Sequence, residues 1–293
     1  MSAEFACLGY SPVGLSRPDL AIAATRAGGF GVIDAEYGAR PGALAAALAA
    51  LACPKRGAKG PFGLHLGGLD PETWELIAAY APRGLTRVSL PAAALDAHFA
   101  AGGAAPAGVA LWAEVVGRRA PACLDRVAGL VLKGHEAGGL VGEEGSFILA
   151  QHWLGATDLP LVLRGGLSPA AARGLAGLGI RGGVYEAGLL FLAESPLPAP
   201  LRAALRRADG TETVALGDPA GGRFLRLFVQ PVWSAARALR QDAARAPVAA
   251  LRAALGERGP VWETPATALL PLGQEIGAAA SWAAIHGTVA GLF

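Results

Sequence analysis

The sequence is poor in charge and has no strongly basic or acidic segment. Only 16% of its 293 residues are Asp, Glu, Lys or Arg, and the formal net charge is +2. Arg206 and Arg207 are merely adjacent and form no dense cationic run. Because binding to a phosphate backbone wants a clustered basic surface, we expect no nucleic-acid partner.

Cysteine is also scarce. The three cysteines, Cys7, Cys53 and Cys123, are widely spaced and form no CxxC pair. An odd number of widely spaced cysteines is not the pattern of a disulfide framework or of a zinc site. We therefore predict no metal centre, three small buried side chains and a cytoplasmic, reducing location.

Membrane-targeting segments are missing as well. Residues Met1 to Leu8 lack the basic region and apolar core of a signal peptide. Residues Ile276 to Phe293 contain no Asp, Glu, Lys or Arg, but they are rich in Ala and Gly and include Ser281, His286 and Thr288. A membrane span wants about 20 predominantly apolar residues, so we predict a buried or docked helix here and no membrane partner.

Short apolar runs dominate the first two-thirds of the chain. Hydrophobic residues make up 53% of the sequence, which is not the composition of a disordered chain. Near-continuous apolar runs are typical of strands that are buried on both faces, and eight are predicted. They are Phe5–Leu8, Phe30–Ile33, Phe62–Leu66, Thr86–Leu90, Val109–Val116, Val127–Leu132, Leu159–Leu163 and Gly183–Glu186.

Helical patterns separate these runs. Asp70 before Pro71, and Ser168 before Pro169, each place a capping side chain ahead of a proline at the first helical position. Eight strand-then-helix units are the number that a closed (β/α)8 TIM barrel requires, so we predict this α/β fold. A doubly wound open sheet is the alternative, because a strand count from sequence can be wrong by one or two. The other early helices are predicted at Pro18–Ala27 and Pro41–Ala52.

A proline cluster between Pro196 and Pro200 divides the chain into two predicted units. Residues 1–200 form the barrel, and residues 201–293 form a small, mostly helical appendage that packs on it. Within the appendage we predict a strand at Leu225–Val229 and helices at Ala235–Leu255 and Glu275–Ala290.

Glycine-bearing segments follow the last three predicted strands, at the barrel end where active sites are built. Lys-Gly-His-Glu-Ala-Gly-Gly runs from Lys133 to Gly139, Arg-Gly-Gly-Leu from Arg164 to Leu167, and a third glycine segment from Gly182 to Gly188. Glycine lets the backbone approach a flat ligand, and the loops after strands seven and eight commonly bind phosphate. From these residues alone, a ligand site and a glycine-rich loop with solvated charges both stay open.

Together these segments resemble the successive motifs of the nitronate monooxygenase family, which includes flavin-dependent enoyl reductases. The opening Gly9–Pro12 and Phe30–Ile33 resemble the family's first barrel unit, and the resemblance covers nearly the whole chain. Asp209–Thr213 and Leu272–Gln274 are more similar to the subgroup embedded in polyketide and polyunsaturated fatty acid synthases. Further segments that carry the resemblance are Pro61–Leu66, Val184–Phe191 and Leu272–Glu275.

The resemblance implies a flavoprotein oxidoreductase whose barrel binds FMN. The flavin phosphate would lie on the glycine loops after strands seven and eight, and the ring near the Gly-Gly of the sixth. Lys133 stands where the family often has Gln, and His65 where it usually has Asn. The residues implied to contact the cofactor are His65, Lys133, Gly138, Gly139, Gly165, Gly166, Gly188, Leu189 and Gln274.

Leu140 is the departure from the family pattern that bears on catalysis. The family's catalytic histidine normally follows Glu-Ala-Gly-Gly, and leucine can neither accept nor donate a proton. His135 is the candidate replacement, and a loop histidine without a catalytic role is the alternative. Trp112 and Glu114 share one face of a predicted strand. With Leu140, they are assigned to a substrate pocket.

Three functions stay open. The leading hypothesis is reduction of an enoyl thioester within a polyketide or fatty acid synthase, with NADPH as electron donor and acyl carrier protein and other synthase domains as partners. The second is a nitronate monooxygenase acting on a small nitro compound. The third is a barrel that binds flavin or carrier protein without chemistry, since fold does not fix function. The sequence ends in mid-pattern at Ala290–Phe293, from which we expect a domain of a longer polypeptide.

Overall fold

The computed structural model describes residues 5–15, 17–38, 42–217, 222–229 and 270–293. Eight parallel strands within these ranges close into a barrel, and the last strand pairs with the first through Ala6 opposite Gly182. The barrel strands are β1 (Ala6–Tyr10), β2 (Phe30–Ala35), β3 (Phe62–Leu66), β4 (Leu85–Pro91), β5 (Ala110–Val115), β6 (Gly129–Lys133), β8 (Leu161–Arg164) and β9 (Gly182–Tyr185). The predicted TIM barrel is confirmed, and closure excludes the open sheet because it leaves no edge strand.

Helices cover the outside of the barrel, except that a single 3-10 turn at Leu124–Arg126 connects β5 to β6. Another 3-10 turn, Ala187–Leu189, follows β9. The α-helices of the described residues are α1 (Asp19–Arg26), α2 (Ala43–Leu51), α3 (Pro71–Tyr80), α4 (Ala92–Ala100), α5 (Ser146–Leu154), α6 (Pro169–Gly177), α7 (Ala199–Leu205), α8 (Ile276–His286) and α9 (Val289–Leu292). Glycine at position 287 has a φ of +69°, which ends α8 and splits the predicted helix over Glu275–Ala290 into two.

A second, antiparallel sheet lies beside the barrel. It consists of β7 (Gly139–Val141), β10 (Thr213–Leu216) and β11 (Phe224–Phe228), with β11 in the middle. The predicted strand at Leu225–Val229 is thus present, shifted by one residue, and it pairs Leu225 with Leu140 of the barrel loop. The predicted helix at Ala235–Leu255 lies outside the described residues. That residues 201–293 form a separate unit stays a prediction.

Two apolar layers form the core of the barrel, and the inner layer determines how far along the barrel axis the polar site begins. One lies between the strands and the helices, and includes Leu20, Leu64 and Leu130. The other fills the inside of the barrel with Leu8, Val32, Trp112, Val131, Val162 and Val184, among others. Because successive side chains of a strand alternate in direction, the next inward-facing residue on each strand is two positions nearer the carboxyl end.

The predictions of buried cysteines and of no membrane-spanning helix can be compared with the structure. All three thiols are free; Cys123 is buried, whereas Cys7 and Cys53 are half-exposed and not the buried side chains expected. Across the described ranges, none of the helices combines the length and the apolar character that a bilayer crossing demands.

The N-cap of α3 gives a first testable prediction. Asp70 accepts a hydrogen bond from the backbone N–H of Thr73 at 2.8 Å, and this bond lowers the pKa of the carboxyl. Replacing Asp70 with alanine should destabilise the protein by about 1 kcal/mol at neutral pH, whereas asparagine, which keeps an acceptor oxygen, should cost much less. Because the folded pKa is lowered, the stability advantage of the wild type over the alanine variant should shrink in urea-unfolding measurements as the pH falls through the titration of Asp70. Equal losses for both variants would contradict the capping role.

Candidate functional site

Charged side chains fill the carboxyl end of the barrel interior, directly above the apolar layer. Asp34, Glu114 and Arg164 each follow an inward-facing apolar residue by two positions, at Val32, Trp112 and Val162. We call this group the mouth network. Its members are Asp34, Glu36, His65, Ser89, Glu114, Lys133, Arg164 and Glu186; all of them except half-buried Glu186 are at most 4% exposed.

Arg164 is the centre of the mouth network. Its Nη2 donates to Asp34 Oδ2 at 2.7 Å and to Glu186 Oε1 at 2.5 Å, and its Nη1 donates to Glu114 Oε2 at 2.6 Å. Burial by itself would lower the pKa of the guanidinium, but the carboxylates of Glu186, Glu114 and Asp34 hold that pKa well above its usual value. Arg164 therefore stays charged, and it ties strands from opposite sides of the barrel together.

Lys133 forms the second positive centre. Its Nζ lies 2.9 Å from Glu36 Oε2 and 3.4 Å from Glu114 Oε1. Burial would raise the pKa of Glu36, but Lys133 and then its other partners hold it well below its usual range. The other oxygen of this carboxylate, Glu36 Oε1, is buried and has no hydrogen-bond partner among the described residues. A buried oxygen without a hydrogen-bond partner lowers the stability of the fold, so hydrogen bonding on this side of the mouth network is incomplete.

His65 lies between the two cations. Its Nδ1 is 3.0 Å from Ser89 Oγ, and Arg164 Nη1 is 2.9 Å from its Nε2. Burial favours the neutral ring, but the carboxylates of Glu114 and Asp34 outweigh burial and raise the pKa of His65. Because Arg164 needs Nε2 as an acceptor, the ring is neutral in this hydrogen-bond arrangement.

Three members of the mouth network have the ligand types of a metal site. One atom from each of Asp34, Glu36 and His65 lies within 4.8 Å of the others. Arg164 and Lys133, however, already contact these same side chains at 2.7–2.9 Å. A further cation would be repelled by both, so the arrangement favours an ion-pair network.

The glycines predicted to face a cofactor pack against the chain itself. A Cβ at Gly138 would overlap the carbonyl of Pro271, one at Gly139 the hydroxyl of Tyr37, and one at Gly188 the ring of Trp282. Gly165 and Gly166 have φ values of +107° and +63°, and in the same way they approach Ala137 and Glu136. Close packing thus requires glycine at these positions in this structure.

A carboxylate occupies the turn after β9. Oε1 of Glu275 accepts hydrogen bonds from the backbone N–H groups of Glu186 and Gly188, at 3.3 and 3.4 Å. Burial first, and the charge of Glu186 second, raise the pKa of Glu275 to about 8. The sequence prediction named Gln274, which is exposed, and missed its buried neighbour. The sequence signal for Glu275 was an acidic residue directly before the apolar run of the predicted last helix.

The predicted catalytic and substrate residues do not come together at one place, and of the four only Glu114 lies in the mouth network. His135 donates a hydrogen bond from Nδ1 to the carbonyl oxygen of Gly142 in its own loop, at 2.7 Å, and its ring packs edge-on against Phe224. Leu140 is buried, and its backbone N–H donates to the hydroxyl of Tyr37 at 2.8 Å. Trp112 lies in the apolar layer, below the mouth network.

Only some of the predicted residues therefore meet. His65, Lys133 and Glu114 come together in the mouth network, whereas His135 and Trp112 are not part of it. The residues that were not predicted from the sequence as part of the site are Asp34, Glu36, Tyr37, Ser89, Arg164, Glu186 and Glu275. A charged residue at the end of an otherwise apolar strand was the signal for Asp34 and Arg164.

A cavity of about 830 Å3 opens beside the mouth network, between the loops that follow β2 and β3. Glu36 lies at its wall, next to the apolar side chains of Leu44, Leu66 and Leu76. A cavity with an apolar wall and a few polar groups is the usual form of a small-molecule site.

No family model matches the chain, and no curated protein sequence does. Solved structures are similar to it over nearly its whole length. FabK from Thermotoga maritima is 21% identical over 94% of this chain and 87% of its own, with a TM-score of 0.71. The enoyl reductase domain of MlnA from the macrolactin biosynthesis cluster of Bacillus amyloliquefaciens is 13% identical over 96% and 89%, with a TM-score of 0.66. Nitroalkane oxidase from Streptomyces ansochromogenes is 18% identical over 94% of both chains, with a TM-score of 0.59. At these identities the likeness is one of fold, and it is the fold that the resemblance in sequence implied.

Proposed function

We propose that the chain is a flavin-dependent oxidoreductase that reduces an enoyl thioester. The observation that supports it is the pair of N–H groups after β9, which donate to an oxygen of the Glu275 carboxyl group in a barrel with the fold of the MlnA enoyl reductase domain. Glycine loops after the last two strands of such a barrel commonly hold a phosphate. NADPH as donor, and carrier protein as the source of the thioester, belong to the same proposal.

FMN suits this turn better than FAD. The N–H groups of Glu186 and Gly188 already receive an oxygen of the Glu275 carboxyl group, so an oxygen of one terminal phosphate matches them in hydrogen bonding. No GxGxxG follows β1 to hold a pyrophosphate. The flavin ring would fit beside Gly138 and Gly139 only if Pro271 and Tyr37, which now cover these glycines, moved away.

The chain would contribute binding, orientation and exclusion of water. A reduced flavin supplies a hydride when it is bound, and the protein positions the acceptor. Lys133 and His65 are buried at the barrel end where the ring would lie, and Leu140 adds an apolar contact for an acyl chain. Since Leu140 carries no proton, the proton for the substrate's α-carbon would come from solvent or from another side chain of this loop region.

A second candidate is a barrel that performs no redox chemistry. The covered glycines and the well-paired Arg164 favour it, because both fill space at the mouth with the chain's own atoms. Such a protein would have kept the fold and exchanged the cofactor site for internal ion pairs.

Flavin content and turnover separate the two candidates. We expect FMN bound in a 1:1 ratio after purification or after incubation with FMN, released by heat and identified against FMN and FAD standards. NADPH oxidation should depend on an enoyl thioester, and oxygen uptake with a preformed nitronate should be slower. A protein that takes no flavin and oxidises no NADPH would overturn the oxidoreductase proposal and leave the second candidate.

A further inference from the structure

Glu275 occupies the two backbone N–H donors of the turn after β9. It lies directly before α8, it is 7% exposed, and its Oε1 accepts the two N–H groups of the turn after β9. Its Oε2 is buried without a hydrogen-bond partner within the described ranges. A buried carboxylate with one oxygen unpaired is held by packing at an energetic cost.

The segment that contains Glu275, residues 271–282, also packs on the turn after β9 through a second side chain. The ring of Trp282, on α8, packs where a side chain of residue 188 would lie. Pro271 and Leu272, ahead of Glu275, pack against Gly138 in the loop after β6. Residues 271–282 therefore cover the glycine loops after β6 and β9, and Glu275 places its carboxyl group on the N–H groups of Glu186 and Gly188.

We propose that Glu275 is an internal competitor for a phosphate group at the turn after β9: a phosphate monoester binds the N–H groups of Glu186 and Gly188 only when the Glu275 side chain has left them. The two oxyanions need the same donors, so both cannot be bound at once. The position of this site rests on the geometry of Glu275, and the identity of its natural ligand as FMN rests on the proposed function.

Charge makes the competition dependent on pH. The Glu186 carboxylate and the Tyr185 phenol face Glu275 from the end of β9, and Arg164 reaches this group only through its bond to Glu186. Burial and Glu186 raise the pKa of Glu275 to about 8. Above that pH, an ionised Glu275 repels a phosphate dianion as well as blocking it. Phosphate affinity should therefore fall with rising pH, by up to about tenfold per unit above the pKa.

The experiment compares the full-length wild type with Glu275→Ala, Glu275→Gln and Glu194→Gln at pH 7 and pH 9. Glu194 is the matched control, because its carboxylate accepts from Val289 N–H of the same C-terminal segment at 3.1–3.2 Å, away from the turn. Inorganic phosphate and FMN are titrated separately by calorimetry, with the backbone amide resonance of Gly188 as the local reporter.

We expect Glu275→Ala to bind inorganic phosphate at least tenfold more tightly than wild type at pH 9, with no pH dependence beyond that of phosphate itself. Glu275→Gln should also lose the pH dependence, and it covers the case in which the alanine variant does not fold. Glu194→Gln should behave like wild type. Phosphate binding that is equal in wild type and both Glu275 variants, or absent from both variants, would overturn the competitor role.

The FMN titrations keep this inference separate from the proposed function. Phosphate binding at Gly188 in the Glu275 variants, without FMN binding in any protein, would support the internal competitor and contradict the flavin enzyme. FMN binding that is equally tight in wild type and variants at both pH values would support the flavin enzyme and contradict the competitor.

Discussion

Replacing Arg164 with methionine should destabilise the protein by about 3–5 kcal/mol at pH 7, because removal of one partner from a buried ion-pair network leaves uncompensated charges. Three carboxylates, those of Asp34, Glu114 and Glu186, lose their common donor in this variant. Two of these carboxylates are at most 4% exposed, so water cannot replace the guanidinium without opening the barrel mouth. Urea unfolding with linear extrapolation measures the loss.

The pH dependence of this loss has a definite sign. Without Arg164, the orphaned carboxylates have folded-state pKa values raised above their unfolded values, so the variant is most stable at acidic pH and loses stability as the pH rises. Adding Asp34→Asn to the Arg164 variant should recover part of the stability, since it removes a buried charge whose ion-pair partner was Arg164. Arg173→Met, at an exposed position of α6, is the control and should cost little. A loss for Arg164→Met below about 1 kcal/mol, as for an exposed ion pair, would show that the network is solvated.

Replacing Leu140 with histidine should raise the oxidation of neutral nitroalkanes relative to that of preformed nitronates. The family that the sequence resembles has a histidine after Glu-Ala-Gly-Gly, where this chain has Leu140, and Leu140 is buried beside Gly139 and Tyr37 at the barrel mouth. Among the described residues, Leu140 belongs to neither apolar layer of the barrel, so a polar side chain at this position does not enter the packed core of the barrel. General-base catalysis by a positioned group is typically worth about 10²–10⁴-fold, so even an imperfectly placed imidazole should be detectable.

The informative quantity is the ratio of the two rates at matched flavin content. Nitronates need no deprotonation, so their rate should change much less than that of the neutral compounds. Leu140→Asn, which is polar but is not a base near neutral pH, is the matched control. An unchanged ratio in the histidine variant would mean that position 140 does not face the substrate, and that the family's active site cannot be transferred to this loop.

The strands of the barrel were predictable because they are buried on both faces. Burial of this kind leaves a continuous apolar run, which is visible without knowledge of the partner strand, and β3 has the predicted bounds of Phe62–Leu66. The capped start of α3 was equally local, since Asp70, Pro71 and Thr73 settle it among themselves. By contrast, β7 has only three residues, and it is a strand because Phe224–Arg226 pairs with it from far along the chain.

What the sequence by itself determined is the eight strands of the barrel, the capped starts of α3 and α6, and the end of the barrel where chemistry belongs. Only the tertiary structure decided which charges meet there. Asp34, Glu114 and Arg164 are single charges on three separate strands, and they become partners only when β9 closes on β1 and all three face one axis. The choice between Gln274 and Glu275 has the same origin: adjacent side chains point in different directions, and the packing of α8 turns the acid inward and the amide to solvent. Local propensity cannot settle such choices, because their energy comes from groups that are distant in the sequence.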